Sequence, residues 1–348
     1  MSETGGGSRL TVRVVEVVRE TADAHSLVLE PVDVPKGRLG YRPGQFLTVR
    51  VPTERAGGAA RCYSLCSSPQ RDDKLKITVK RTVNGYGSNW ICDHVVEGDT
   101  FEVLRPAGTF TPDTLDEDLF LLAAGSGITP VMSILKSCLH AGTGSVTLIY
   151  ANRDEHSVIF RSELVALAEE FGDRLTVLHW LESVQGLPTG PALRALAGPY
   201  AGRRTFVCGP GPFMELATTT LTAMGVPADR VRVERFASLT GDPFAATESP
   251  GPDTSDEAGE VEVALDGDTR TLPWPADRKL LDVLLAAGLD APYSCREGNC
   301  SACACLLVEG EVAMERNEVL DARDVADGYV LACQALPRSE HIRITYDG

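Results

Sequence analysis

The sequence contains no long hydrophobic segment. Its longest run without a charged residue, 119–135, is barely long enough to cross a bilayer, and Gly125, Gly127 and Pro130 interrupt it. The first ten residues lack the apolar core of a secretion signal. These absences predict a cytoplasmic protein with no membrane partner, in which cysteines outside a metal site stay reduced.

Basic residues and histidine are also scarce. The chain of 348 residues has 33 Lys and Arg against 49 Asp and Glu, and its net charge of −16 disfavours nucleic acid as a partner. The six histidines are scattered and form no pair with metal-ligand spacing. Most of the acidic excess lies in 260–348, and two interpretations stay open. This surface either keeps the protein in solution or steers a basic redox partner towards it.

Cysteine, by contrast, is plentiful and patterned. Cys295, Cys300 and Cys303 form a C-x4-C-x2-C motif, and Cys333 follows at a distance. This is the ligand spacing of a plant-type [2Fe–2S] cluster, in which a tight loop wraps three thiolates and a distant segment supplies the fourth. Disulfides are disfavoured because nothing marks the chain as secreted, and zinc because only one C-x2-C hook is present. Cys305 falls out of phase on the next predicted strand and is interpreted as a buried thiol.

The remaining pattern predicts a multidomain protein of α/β and β class. Short alternating strands over 8–112, punctuated by glycine and proline, predict an antiparallel, flavin-binding β-barrel. Strands and helices alternate over 113–240, which predicts a parallel α/β nicotinamide-binding domain. The acidic, Pro- and Gly-rich stretch 241–259 predicts a linker that lets the last domain move. The pattern over 260–348 predicts a mixed sheet with one packed helix, the β-grasp shape of a ferredoxin domain.

Two motifs in the predicted barrel suit a flavin. Arg61, Tyr63 and Ser64 crowd into one strand and offer a cation for a pyrophosphate, an aromatic ring to lie against the flavin, and a hydroxyl. The second motif consists of Gly87, Ser88 and Asn89. It opens a short predicted helix whose free N–H groups, with the Ser88 hydroxyl, would suit a phosphate. Each motif alone could be an ordinary strand or helix cap, but their order ahead of an iron–sulfur domain favours a flavin.

Two turns of the predicted parallel sheet suit a dinucleotide. The first contains Gly125, Gly127 and Thr129 and opens a helix where such sheets bind a pyrophosphate. It ends in proline rather than a third glycine, so the ordinary fingerprint does not apply literally. The second turn consists of Cys208, Gly209 and Pro210, and its small residues leave a flat surface for a nicotinamide. Phe236, which follows the last strand of this domain, is either a core aromatic or a ring near the flavin.

Taken together, these motifs resemble the ferredoxin–NADP⁺ reductase superfamily with a plant-type ferredoxin fused at the C-terminus. The resemblance covers almost all of 8–348. A closer resemblance is to the reductase components of actinobacterial 3-ketosteroid 9α-hydroxylases, and it is carried by stretches such as RCYSLCSSP, GYGSNWICDHV and AAGSGITPVMSI. Reductases of phenylacetyl-CoA epoxidases share the architecture and many of these motifs.

The resemblance implies FAD, a [2Fe–2S] cluster and NADH as cofactors. NADH would dock on 125–130 and 208–210, and electrons would pass through FAD and the cluster to a separate Rieske-type terminal oxygenase that acts on a steroid ring. Arg61, Tyr63 and Ser64 would position the flavin, and 87–89 would contact its phosphates. No side chain is expected to act as a catalytic acid or base, because the cofactors carry the chemistry. The protein is expected to be a monomer.

Some points stay open on the sequence alone. Arg153 would welcome a 2′-phosphate on the nucleotide and Asp154 would repel one, although the resemblance favours NADH. Ser301 stands where many ferredoxin loops have glycine, so its backbone is expected to need an unusual φ. Two alternative functions remain: the reductase of another oxygenase such as phenylacetyl-CoA epoxidase, and a non-catalytic redox sensor. Motifs for a hydride donor argue against the sensor.

Overall fold

A computed structural model describes residues 9–34, 39–53, 59–236, 238–245, 258–320 and 322–347. Most of the predicted linker, 241–259, lies outside these ranges. Among the described residues, no helix is long and apolar enough to cross a membrane.

The N-terminal part forms an antiparallel barrel. Its elements are β1 (Arg9–Thr21), β2 (Ala24–Pro31), β3 (Phe46–Val51), β4 (Ala59–Ser64), β5 (Leu75–Lys80), α1 (Tyr86–His94) and β6 (Thr100–Leu104). The strands pair in the order β4-β3-β6-β1-β2-β5, and a bridge between Leu65 and Ile77 nearly closes the barrel. Alternate residues point inwards, as Leu10, Val12 and Val14 do on β1, which is the pattern of a strand with one buried face.

The middle part is a parallel sheet with helices on both faces. Its elements are β7 (Leu119–Ala124), α2 (Ile128–Ala141), β8 (Val146–Asn152), α3 (Arg161–Glu170), β9 (Leu175–Leu181), α4 (Glu182–Gln185), α5 (Gly190–Ala197), β10 (Arg204–Cys208), α6 (Gly211–Ala223) and β11 (Val231–Glu234). The order is β11-β10-β7-β8-β9, so the chain changes direction across the sheet between β7 and β10. Ligands of such sheets bind at this switch point, beyond the carboxyl ends of the strands.

The C-terminal part is a mixed sheet packed on a helix. Its elements are β12 (Ala258–Leu265), β13 (Asp268–Pro275), α7 (Leu280–Ala286), β14 (Ala304–Glu309), β15 (Val312–Met314), α8 (Ala322–Ala326), β16 (Tyr329–Leu331), β17 (Ala335–Pro337) and β18 (His341–Thr345). The larger sheet has the order β13-β12-β18-β14-β16, with β12 and β18 parallel. Asp266 and Gly267 form the hairpin turn between β12 and β13, both with φ above +50° as a tight primed turn requires. The predicted barrel, parallel sheet and β-grasp-like domain are therefore confirmed.

A buried ion network joins the barrel to the parallel sheet. Lys136 on α2 is almost fully enclosed, and its Nζ lies 2.7 Å from Asp72 of the barrel and 2.9 Å from Glu163 on α3. Lys76 on β5 also pairs with Glu163, at 3.3 Å, and with Glu20. Burial alone would lower the pKa of Lys136, but Glu163 and Asp72 raise it, so the ammonium stays charged. The network fixes how the two parts sit together.

Replacing Lys136 with Met should lower the free energy of unfolding by about 1–3 kcal/mol, because two carboxylates lose their cation at a closed interface. The matched control is Lys279→Met, which breaks an exposed pair with Glu315. Solvent-accessible ion pairs contribute little to stability, so the free energy of unfolding of the control should stay within about 0.5 kcal/mol of the parent value. Thermal and urea unfolding measure both variants. Equal losses in the two would show that the Lys136 network is energetically an ordinary surface pair.

Candidate functional site

The predicted cluster loop surrounds its sulfur atoms with backbone N–H groups. Cys295 Sγ accepts hydrogen bonds from Glu297 N and Asn299 N, each at 3.3 Å. Cys300 Sγ accepts from Cys295 N at 3.3 Å. Amide donors of this kind stabilise thiolates and raise the reduction potential of a bound cluster.

The four predicted ligands converge. Cys333 N donates to Cys303 Sγ at 3.4 Å, which ties the distant cysteine to the loop. Hydrogen bonds from the thiols of Cys300 and Cys333 lower the pKa of Cys295, so these sulfur atoms lie side by side. Cys305 instead contacts Tyr346, and burial raises the pKa of its thiol. Among the described residues, no group of three or more side chains surrounds a point that would suit a single metal ion. A [2Fe–2S] cluster asks for two thiolates at each iron, and the set of four cysteines fits that demand.

Three residues of the loop adopt left-handed backbone angles. Gly298 has φ +76°, and the non-glycine residues Arg296 and Ser301 have φ +58° and +51°. The unusual φ anticipated at Ser301 is present. Such angles cost about 1 kcal/mol or more for a residue with a Cβ, and they persist where the surroundings enforce them.

On β4 the predicted flavin residues divide between two faces. Cys62 and Ser64 line an open cleft, whereas Arg61 and Tyr63 alternate to the other side. Tyr63 packs against the barrel core. Arg61 lies over the first turn of α1, where a Cβ added to Gly87 would sit 3.0 Å from Arg61 Cγ. The cationic side chain of Arg61 therefore lies beside the N-terminus of α1, and a phosphate site needs both.

Ser88 and Asn89 shape the turn before α1. Ser88 Oγ accepts from Thr82 N at 3.0 Å, and Asn89 Nδ2 donates to the carbonyls of Gly85 and Thr82 at 2.7 and 3.0 Å. Helix α1 has no side-chain N-cap, so the first-turn N–H groups are available to an anion. The contact of these two side chains with a phosphate stays a prediction. What the structure shows is that they hold the turn in place.

The two predicted nicotinamide turns meet at the switch point. A Cβ on Gly127 would lie 2.2 Å from the carbonyl oxygen of Cys208, and one on Gly209 would lie 2.9 Å from Ala124 Cβ. Gly125 has φ +53°, which a glycine adopts without strain. These glycines let the ends of β7 and β10 approach each other, leaving the backbone between them open to a ligand.

The other residues of these turns have structural contacts. Thr129 is buried and its Oγ1 donates to Ser126 O at 3.0 Å. Pro210 caps the N-terminus of α6. Cys208 is fully buried, and burial raises the pKa of its thiol well above the ordinary range.

Lys80 is a site residue that the sequence did not reveal. It ends β5, and its Nζ lies 3.7 Å from the position a Cβ on Gly125 would occupy. Its nearest carboxylate, Asp23, is 3.9 Å away, and burial lowers the pKa of Lys80. A cation here faces the turn where a pyrophosphate is expected. A single lysine at a strand end carries no signal in the sequence.

Arg153 and Asp154, proposed to set the nucleotide preference, are both engaged. Arg153 pairs with Asp23 at 3.0 Å. The Asp154 carboxylate accepts from Ser157 N at 2.9 Å in a capping box, and this contact lowers its pKa.

One open cleft joins all three parts of the molecule. Barrel, sheet and cluster loop each contribute to its lining. The lining residues are Phe46, Cys62, Ser64, Glu234, Arg235, Phe236, Leu239, Cys295, Asn299 and Cys300. Ser64 and Phe236 were predicted to lie near a flavin, and Cys295 and Cys300 to bind the cluster. The two predicted cofactor sites are therefore neighbours.

The cleft also contains Glu234 of the Glu234-x-Phe236 motif, to which the sequence assigned no role. The residue is partly buried in the cleft, and burial of its carboxyl raises its pKa from the usual 4.5 to about 7. Phe236, two residues on, remains half exposed at 50 %, so it is a cleft residue rather than a core aromatic. A glutamate at the end of a strand resembles a solvent-facing residue in the sequence, so its burial could not be predicted.

Comparison with known proteins agrees with this geometry. Three family models match: an oxidoreductase FAD-binding domain over 11–111, an oxidoreductase NAD-binding domain over 121–219, and a 2Fe-2S iron-sulfur cluster binding domain over 263–338.

Relatives match over the full length. The ferredoxin reductase component of 3-ketosteroid-9-alpha-monooxygenase from Mycobacterium tuberculosis is 56% identical, covering 98% of this chain and 97% of the relative. A subunit of the 1,2-phenylacetyl-CoA epoxidase of Escherichia coli is 33% identical, with 97% of each chain covered. The solved structure of phthalate dioxygenase reductase is similar at a TM-score of 0.55 and 25% identity, covering 97% of this chain and 98% of that one.

Replacing Cys300 with Ser should abolish the visible absorption of the cluster, because one thiolate ligand is lost. NADH-driven reduction of ferricyanide should stay within about twofold of the parent, since the flavin and nucleotide contacts lie on other domains. Cys305→Ala, which removes a buried thiol outside the ligand set, is the matched control and should keep its cluster. Iron and sulfide analysis measures the cluster content of each variant, and the ferricyanide assay measures its NADH-driven activity. Loss of both properties in Cys300→Ser would show that the domains do not fold independently.

Replacing Glu234 with Gln should change the pH dependence of stability. A carboxyl whose pKa is higher in the folded than in the unfolded protein makes the folded state less stable as pH rises from about 4.5 to 7. The neutral amide removes that loss of stability. The free energy of unfolding of the variant should therefore exceed that of the parent by up to about 3 kcal/mol at pH 8.5 and by little at pH 4.5. Unfolding curves at both pH values provide the measurement, with exposed Glu309→Gln as control. A gain in stability that does not depend on pH would contradict a raised pKa at Glu234.

Proposed function

Because the chain belongs to the family of 3-ketosteroid-9-alpha-monooxygenase ferredoxin reductase components, we propose that it carries electrons from NADH, through FAD and a [2Fe–2S] cluster, to a separate oxygenase that hydroxylates a 3-ketosteroid. The observation that carries the proposal is the shared cleft. Ser64 of the FAD-binding barrel, Phe236 after the nicotinamide sheet, and the ligands Cys295 and Cys300 all line it. Electrons would have only a short distance to travel between the two centres.

In this proposal each group of residues has a defined task. When bound, FAD converts the hydride of NADH into single electrons, and the cluster accepts one electron at a time. Arg61 and the first turn of α1 hold the FAD phosphates, while Ser64 contacts the flavin ring in the cleft. Phe236, half exposed in the same cleft, would lie near that ring and limit its contact with water.

Nucleotide and cluster have their own residues. The NADH pyrophosphate lies over Gly125 and Gly127, with Lys80 as its cation, and Gly209 keeps the path to the flavin free of side chains. The four thiolates hold the cluster, and the backbone N–H groups around Cys295 and Cys300 favour its reduced form.

Four finer assignments belong to the same proposal. The domain boundaries are 8–112, 113–240 and 260–348 around the linker, and the three family-model matches lie within them. The oxygenase is of the Rieske type, which takes one electron at a time. The protein acts as a monomer. It works in the cytoplasm, where the six cysteines outside the ligand set stay reduced.

The alternatives receive weaker support. The phenylacetyl-CoA epoxidase subunit is 33% identical, against 56% for the steroid-system reductase. A redox sensor needs no hydride donor, whereas this chain matches an oxidoreductase NAD-binding domain.

Reconstitution tests the proposal. The purified holoprotein, given NADH, should support hydroxylation by a 3-ketosteroid oxygenase about tenfold faster than it supports a phenylacetyl-CoA epoxidase, a discrimination of about 1.4 kcal/mol. Raising ionic strength should slow turnover but not flavin reduction, if the acidic C-terminal surface guides docking. Product formation is scored by chromatography, with NADPH as the nucleotide control. Equal or better support of the epoxidase would overturn the steroid assignment.

A further inference from the structure

Polar contacts attach the cluster loop to the rest of the molecule. Ser294 shares a hydrogen bond of 2.5 Å with Thr48 on β3, and both residues are fully buried. Ser301 shares one of 3.1 Å with Thr109, which follows β6. Arg296 donates to Ala245 O at 3.4 Å, and Glu297 makes a further contact. These contacts cross from the cluster domain to the barrel or to the segment that follows the nicotinamide sheet.

Glu297 makes the strongest of these attachments. Its Oε1 accepts hydrogen bonds from Thr240 N at 2.9 Å, from Thr240 Oγ1 at 2.8 Å, and from Gly241 N. Three donors on one carboxylate oxygen form a charge-assisted cluster, which is stronger and more directional than neutral hydrogen bonds. A Cβ on Gly241 would lie 3.1 Å from that oxygen, so glycine lets the backbone come this close.

The position of Glu297 links both sides of the cleft. It stands two residues after Cys295 and three before Cys300, and both cysteines line the cleft. The segment that binds it directly follows Phe236 and Leu239, which line the opposite wall. Holding Glu297 to Thr240 and Gly241 therefore fixes the distance between the cluster ligands and the predicted flavin position.

Ser301 supports the same conclusion. Its φ of +51° would suit glycine better than serine. The residue nevertheless carries a hydroxyl, which donates to Cys300 O at 2.7 Å within the loop and lies 3.1 Å from Thr109 Oγ1 on the barrel. A strained backbone position whose side chain also contacts another domain indicates that the contact has a use.

We propose that Glu297 is a latch, a positioning residue that seats the cluster loop against the flavin cleft, with Ser294 and Ser301 as its supporting contacts. The latch sets the rate at which electrons pass from reduced flavin to cluster. Each transfer oxidises the flavin by one electron and reduces the oxidised cluster by one. Two transfers, separated by reoxidation of the cluster by the oxygenase, account for the electron pair of the hydride, and the accompanying proton leaves to solvent. This inference rests on the proposed function.

The test compares holoproteins carrying Glu297→Ala, Glu297→Gln and the control Glu309→Ala. Glu309 is an exposed carboxylate on β14 that pairs with Arg343 of the same domain. In stopped-flow experiments, Glu297→Ala should slow cluster reduction about tenfold or more, because small misplacements of reacting centres carry large rate costs. Glu297→Gln keeps one acceptor oxygen and should recover part of the rate. Flavin reduction by NADH should stay unchanged in all three variants.

Hydrogen exchange supplies a readout independent of turnover. The amides of Thr240 and Gly241 should exchange about tenfold faster in Glu297→Ala than in the parent, because they lose their acceptor. In Glu309→Ala they should exchange at the parent rate. The visible and EPR spectra of the cluster should match the parent, which excludes a damaged cluster as the cause of slow transfer.

The variant Ser301→Gly distinguishes loss of the contact with Thr109 from loss of stability in the cluster domain. It relieves the left-handed backbone and removes the hydroxyl, so the cluster domain should become more stable while cluster reduction slows. Parent-like cluster reduction in both Glu297→Ala and Ser301→Gly would overturn the latch, as would unchanged exchange at Thr240 and Gly241. Failure of the wild type to reduce its own cluster with NADH would instead refute the proposed function, and the exchange data would still decide whether the Glu297 contact holds the loop.

Discussion

Proximity between two cofactor sites is the constraint on which this structure depends. Electron transfer falls off steeply with distance, so a flavin strand and an iron–sulfur loop that lie far apart in sequence must be brought to one cleft. Ser64 and Cys295 achieve this from positions more than two hundred residues apart. The barrel provides a rigid strand, the cluster loop provides ligands, and the segment after β11 closes the cleft between them.

The two interfaces that create this proximity are built differently. Barrel and nicotinamide sheet are joined by the enclosed Lys136 network, in which one ammonium pairs with a carboxylate of each part. The cluster domain meets the barrel and the segment that follows β11 through hydroxyl contacts, the Glu297 carboxylate and a few apolar residues such as Leu104 and Phe244. Hydroxyls and a carboxylate hold the cluster domain by directional hydrogen bonds rather than by an enclosed ion network.

Much of this arrangement could be predicted from the sequence because it has a local cause. The four-cysteine spacing, the fully apolar strands such as β7, and the turn at Asp266 and Gly267 all depend on neighbouring residues. What escaped prediction depends on distant partners. Lys80 matters only because Gly125 lies beside it, and Ser88 bonds Thr82 as well as opening a helix. Glu234 gains its raised pKa from burial that no local pattern reveals.

Ser301 shows how a local departure can signal a distant contact. Considered within the loop alone, serine at this left-handed position is unfavourable, because glycine would adopt the same φ without strain. When the contact with Thr109 is included, the serine is a compromise in which backbone strain is offset by a hydrogen bond to another domain. The hydrogen bond helps to hold the cluster domain in one orientation on the barrel. A glycine would make a more relaxed loop with one attachment fewer, and an apolar residue would bind the barrel without the directional hydrogen bond that sets the angle of approach.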